Sequence, residues 1–107
     1  MTNEVVYIED PLGHMISLTK EICHKDIEGI NALDLYDDLS SVIKNPAFLI
    51  EKNSGLKKMY YFRPIGWQLS ILIKVNYTKE GWEAYQCILN PSDAYIVELL
   101  QKGKQII

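Results

Sequence analysis

The chain has little of what most catalytic motifs are made from. In 107 residues it holds one arginine, Arg63, two histidines and two cysteines. Cys23 and Cys87 lie far apart, match no metal-ligand spacing, and read as buried thiols in a reducing compartment. Two histidines and two dispersed cysteines give no structural zinc site, so no metal is expected. There is no P-loop, GxGxxG, HExxH or nucleophile elbow. Phosphate-loop enzymes, dinucleotide-binding oxidoreductases, zinc proteases and α/β-hydrolases therefore have no support, and no cofactor is expected. No segment approaches the roughly 18 consecutive apolar residues of a membrane span. The opening MTNEVVYIED lacks a basic region followed by an apolar run. The expectation is a cytoplasmic protein with no membrane partner.

What is present is ordinary globular material. A hydrophobic fraction of 48% and a charged fraction of 23% fit one domain, residues 1–107, with a core of its own. Eleven basic and fourteen acidic residues leave a net charge of -3, which argues against a generalised electrostatic grip on nucleic acid. The charges are unevenly distributed. Lys57, Lys58, Arg63 and Lys74 come from one region and Asp34, Asp37 and Asp38 from another, so part of the surface is more positive than the whole.

That more basic region, Lys57 to Leu89, reads as three antiparallel strands around which the chain packs. In the middle strand Leu69, Ile71, Ile73, Val75 and Tyr77 share the core face, because strand side chains alternate. Ser70, Leu72, Lys74 and Asn76 share the other face, which is mostly polar and suited to water or a groove. Pro64-Ile65-Gly66 separates the first two strands, and Lys79-Glu80-Gly81 makes the second turn. Ahead of them, Glu4 to Ile8 and His14 to Leu18 flank the turn Asp10-Pro11-Leu12-Gly13 and predict an N-terminal hairpin. His14 is expected to be a surface residue, with nothing adjacent in sequence to tune it. A helix is expected from about Lys20 to Glu28, ended by Gly29, with Ile22, Cys23, Ile27 and Ile30 as its apolar stripe and His24 at the stripe's edge. A second helix is expected over Asn31 to Lys44, capped by Asn31 and stopped by Asn45-Pro46. A strand over Ala47 to Lys52 leads into the meander, and Ser92 caps a last helix that ends at Gly103. The fold class is thus α+β: a hairpin and two helices packed on a curved antiparallel sheet, with a C-terminal helix.

Several strings then carry a likeness. IEDPLGHMISLT, a helix with a histidine, IKNPAFLIE, MYYFR, LSILIKV and WEAY, in that order across residues 7 to 89, resemble the small phage-associated domains of the barnase–EndoU–colicin E5/D–RelE nuclease group. The resemblance implies an RNase-toxin-like α+β fold and metal-independent RNA cleavage. Such cleavage needs a base for the ribose 2′-hydroxyl, a cation for the phosphorane and an acid for the leaving oxygen. By that resemblance His24 is base or acid, Arg63 and Lys74 are phosphate clamps, and Tyr61, Glu83 and Tyr85 contact substrate beside them. The chain also departs from the pattern. Gly29-Ile30-Asn31-Ala32 stands where a second histidine, a proline and an acidic residue are usual, and Glu83 stands where a hydroxyl is usual. A degenerate relative that kept the shape and lost the chemistry fits the same residues.

A different class of function also fits. Tyr60, Tyr61, Trp67, Trp82 and Tyr85 exceed what a small core needs, and interface cores are enriched in Tyr and Trp. A non-catalytic module binding a protein partner through an aromatic-rich sheet is the alternative to an RNA partner. A nucleic-acid binder without cleavage, using stacking and the few cations, is a third reading.

Overall fold

The computed structural model describes residues 5–27, 30–34 and 36–107. In chain order the elements are β1 (Val5–Glu9), β2 (Met15–Thr19), α1 (Lys20–Cys23), β3 (His24–Ile27), β4 (Ile30–Asp34), α2 (Tyr36–Lys44), β5 (Phe48–Ser54), β6 (Leu56–Gly66), β7 (Leu69–Thr78), β8 (Gly81–Leu89), α3 (Asp93–Lys102) and β9 (Lys104–Gln105). Seven strands form one sheet in the order β1-β2-β8-β7-β6-β5-β9, and β3 and β4 pair separately. The architecture is α+β with a mostly antiparallel sheet. Its exception is the β2–β8 junction, which is parallel, with Ile16 opposite Trp82 and Ser17 opposite Glu83.

The alternation of β7 positions the layers. Met59, Tyr61 and Arg63 of β6 pair with Val75, Ile73 and Ile71 of β7, and Tyr60 and Phe62 pair with Lys74 and Leu72. Paired residues share a face, so odd-numbered residues of both strands point one way and even-numbered ones the other. On the first face Ile16, Leu18, Leu49, Met59, Tyr61, Ile71, Ile73 and Val75 are buried with Leu39, Val42 and Ile43 of α2. On the second face Ile50, Tyr60 and Leu72 are buried with Leu99 of α3. Each of these side chains contributes about 1.5–3 kcal/mol on leaving water. The sheet is therefore sandwiched between helices along part of its width. The second face of β7, expected to stay polar and open, is closed over Leu72 because α3 lies across it.

Two turns hold these layers in place. Ser92 accepts the Tyr95 backbone N–H at 3.2 Å, which starts α3 as the sequence predicts. Gly103 ends it, its N–H donating to the Leu99 carbonyl at 2.8 Å. Its φ of −106° is open to any residue. Glycine is needed there for space, because a Cβ would run into Ile50 Cγ2.

Elsewhere the expected elements shift. The first helix is a single turn, Lys20–Cys23, and His24 opens a strand instead of continuing the helix. The second helix begins at Tyr36; Asn31, its expected cap, lies inside β4. Here cross-strand pairing of Lys25 with Leu33 overrides an apolar spacing that suits either structure. Strand β6 runs through Pro64 to Gly66 with a bulge, so the turn falls on Trp67 and Gln68. Glu4 and Gly29, the expected ends of a strand and a helix, lie outside the described residues.

Candidate functional site

Arg63 and Lys74 do not meet. The β6–β7 register puts Arg63 on the α2 face and Lys74 on the α3 face. Arg63 Nη1 donates to the Asn45 carbonyl at 2.8 Å, tying β6 to the end of α2. The Lys74 ammonium lies 5.4 Å from the centroid of the Tyr95 ring on α3. Burial alone would lower the Lys74 pKa, but its hydrogen bond with Tyr95, and the charges that Tyr95, Tyr85 and Tyr60 take on when ionised, raise it overall. The His24 side chain lies outside the described residues.

Of the other three expected contacts, Glu83 and Tyr85 fall on the Lys74 side of the sheet and Tyr61 on the opposite one. Tyr61 is fully buried, its hydroxyl turned to Asp10. Tyr85 is 40% exposed at a bulge opposite Lys74 and Val75, with the Lys58 ammonium 5.8 Å from its ring centroid. Glu83 pairs with Asn76 and lines a shallow depression with Val5, Tyr7, Ser17 and Thr19. Glu83, Tyr85 and Lys74 share the second sheet face, and Arg63 and Tyr61 the first.

The polar centre that the fold does assemble lies at the turn between β1 and β2. Asp10 is 4% exposed. Its Oδ1 accepts the backbone N–H groups of Leu12 at 3.0 Å and of His14 at 2.7 Å, the geometry in which an aspartate folds a turn around its own carboxylate. Gly13, at φ 88°, supplies the left-handed residue that closes the turn. Asp10 Oδ2 accepts the Tyr61 hydroxyl at 2.6 Å and faces His14 Nδ1 at 3.2 Å. Four donors thus fill the acceptor sites of one carboxylate.

Tyr61 is a dependable donor. Burial first, and then the hydrogen bond to Asp10 and the charge of that carboxylate, push its pKa far above the ordinary value, so the hydroxyl keeps its proton. With Nδ1 turned to Asp10, Nε2 is the His14 nitrogen left to exchange protons. The His14 side chain is 34% exposed and lies against Trp82, ring centroids 4.9 Å apart. Tyr77 packs on the same indole at 4.9 Å, and the Lys57 ammonium is 5.7 Å from its centroid. His14, Lys57, Tyr77 and Trp82 line one open cleft. Lys57 also has Glu51 Oε2 at 3.7 Å, an exposed pair worth little in water.

Sequence reasoning passed over this centre by looking for a tuning group next to His14. The signal lay four residues back. An aspartate opening a Pro-Leu-Gly turn is the usual acceptor for backbone N–H groups beyond it, and that bond brings its carboxylate beside the returning strand. Trp82 reaches His14 because the Ser17 hydroxyl donates to the Trp82 carbonyl at 3.2 Å across the parallel junction.

No family model, curated protein or solved structure matches the chain. Among the described residues, no three His, Cys, Asp or Glu side chains stand close enough to hold a metal ion. No helix there is long and apolar enough to cross a membrane.

Proposed function

We propose that the domain is a metal-independent ribonuclease whose working group is His14, in place of the expected set of His24 with Arg63 and Lys74, the last two of which lie on opposite faces of the sheet. The observation that carries this reading is a buried carboxylate, Asp10, holding an imidazole at the wall of an aromatic cleft that also bears a lysine. The lining residues can move a proton and offset negative charge. An RNA strand brings its own nucleophile, the 2′-hydroxyl, so a base, a cation and an acid for the leaving oxygen suffice. Nε2 of His14 takes the 2′-hydroxyl proton as the 2′-oxygen attacks phosphorus. Lys57 offsets charge on the phosphorane, and the P–O5′ bond breaks as the leaving oxygen gains a proton from the Tyr77 hydroxyl. The products are a 2′,3′-cyclic phosphate and a 5′-hydroxyl. Trp82 and Tyr77 offer faces on which a base can stack.

The test is incubation of the purified protein with single-stranded and structured RNA in EDTA. Cleavage leaving cyclic phosphate ends is expected, falling about 10²- to 10⁴-fold in His14→Gln, the usual contribution of general acid–base catalysis. Cleavage that survives in His14→Gln, or none at high protein concentration, removes the proposal.

A second reading is favoured by the sheet face that α3 leaves open. Val5, Tyr7, Met15 and Tyr85 are 43%, 65%, 50% and 40% exposed, and a module binding a protein partner would use such a surface. Absent RNA cleavage together with retention of a host protein, lost in Tyr7→Ser, is its expected signature.

A further inference from the structure

The second face of the sheet holds a polar cavity that the cleavage reading does not use. Lys52, Tyr60, Tyr95, Glu98, Leu99 and Lys102 enclose about 90 Å³ between β5, β6 and α3. Lys52 is paired in the ladder with Lys58. Two lysines directly opposite in antiparallel strands, on one face, repel each other. Lys74 lies one pair further along, opposite Tyr60. Among the described residues, none of Lys52, Lys58 and Lys74 has a carboxylate at ion-pair distance; Lys102 alone of these four does, with Glu98 at 2.7 Å. Two lysines and one glutamate thus line the cavity, with Lys58 and Lys74 on the same sheet face, in a chain whose net charge is -3. Glu98 is the cavity's own counter-charge, shared between Lys102 and Lys52, and one exposed carboxylate offsets only part of this positive charge, so the cavity is suited to an anion supplied from outside.

We propose that this cavity binds the phosphate group of a phosphomonoester, with Lys52 and Lys102 as direct contacts and Lys58 and Lys74 raising the local potential. The size fits one such group. A water takes about 30 Å³ of liquid, so the space holds a few waters or a single tetrahedral anion, while the remainder of a larger ligand stays outside beside the exposed ring of Tyr85. A dianion satisfies more of the lysine charge than a singly charged diester does, which favours a terminal phosphate. Glu98 is the built-in competitor. It holds Lys102 now, and a phosphate would have to take that lysine from it.

This proposal stands apart from the cleavage reading and is tested without RNA. Thermal unfolding and amide NMR titrations are run in sodium phosphate, sodium sulfate and sodium chloride at matched ionic strength, and with a nucleoside 5′-monophosphate. Phosphate is expected to raise the melting temperature above that in chloride and to move the amide signals of β5, β6 and α3. Lys52→Met should weaken phosphate binding roughly tenfold, the effect of losing one charge-assisted contact. The same variant, relieved of the Lys52–Lys58 repulsion, should melt no lower than the parent in chloride. Glu98→Gln should tighten binding, because Lys102 loses its rival partner. Nucleotide binding tighter than phosphate identifies a ligand body that reaches Tyr85, and equal binding identifies the phosphate alone; either result supports the site. Equal stabilisation by phosphate in the parent, Lys52→Met and Lys58→Met, or signals that move only around His14, overturns it. His14→Gln should bind phosphate like the parent.

Discussion

Replacing Tyr61 with phenylalanine removes one hydroxyl from the centre of the site, and its effect should depend on pH in a way that tests the whole arrangement. At neutral pH the variant loses a buried hydrogen bond to a carboxylate, worth about 1.5–3 kcal/mol, and Asp10 Oδ2 keeps only His14 as a side-chain partner. Above pH 10 the comparison changes. Burial and Asp10 raise the folded-state pKa of Tyr61 far above the unfolded value. A raised folded pKa means that the unfolded chain releases the proton first, so the stabilising contribution is complete below about pH 10 and is lost as pH rises. The slope is about 1.4 kcal/mol per pH unit for one group, and phenylalanine has no proton to release. Parent and variant should therefore draw together, with a gap about 2 kcal/mol narrower at pH 11.5 than at pH 8. Tyr60, also raised by burial, is common to both proteins and cancels. Urea unfolding followed by far-ultraviolet circular dichroism at half-unit steps measures the gap. A gap that stays constant from pH 8 to pH 11.5 would refute a buried, carboxylate-bound Tyr61.

Four further outcomes follow from the geometry. Asp10→Asn presents an amide where Tyr61 and His14 both need an acceptor. It should cost about 1–3 kcal/mol in chemical denaturation and, under the proposed cleavage mechanism, lower RNA cleavage without changing where the RNA is cut. Gly103→Ala drives a methyl group into Ile50 and should cost about 1–3 kcal/mol by the same assay, where an exposed glycine would give almost nothing. Leu99→Ala removes the α3 anchor over Ile50 and Leu72 and should cost about 2–5 kcal/mol, with amide exchange rising first in α3. Trp67 is 90% exposed at the β6–β7 turn and Trp82 is half-buried. Trp67→Phe should therefore remove the red-shifted, iodide-quenchable part of the tryptophan fluorescence, and unchanged quenching would contradict the position of that turn.

The meander, the β5 strand and the last helix were legible because local signals agreed: alternation in Ile71, Ile73 and Val75, a glycine turn at Gly55, although Asn53 and Ser54 stay in β5, and Ser92 followed by a helical stripe. The expected helix starts at Lys20 but stops at Cys23; His24–Ile27 and Ile30–Asp34 were misread because the apolar spacing suits a helix as well as a strand, and pairing between β3 and β4 decided the matter. For the site, the difficulty was parity. Reading Pro64-Ile65-Gly66 as the turn leaves the register of β6 on β7 undefined, and a slip of one residue moves every side chain to the other face. With Gly66 opposite Leu69, Arg63 and Lys74 fall on opposite sides. The partnership of Asp10 with Tyr61 spans 51 residues, and no local pattern announces it.

The parallel junction between β2 and β8 has a consequence for how the cleft comes into being. The hairpin that carries the histidine and the strand that carries its indole neighbour are 65 residues apart along the chain at the Ser17–Trp82 contact. Closing so long a loop is entropically slow, and every intermediate strand must find its neighbour before the contact gains anything. The cleft is complete only once β8 has docked beside β2. The same seam is held by two register pairs, and Ile16 and Leu18 beside it are fully buried, so parting it would open the cleft and the core together.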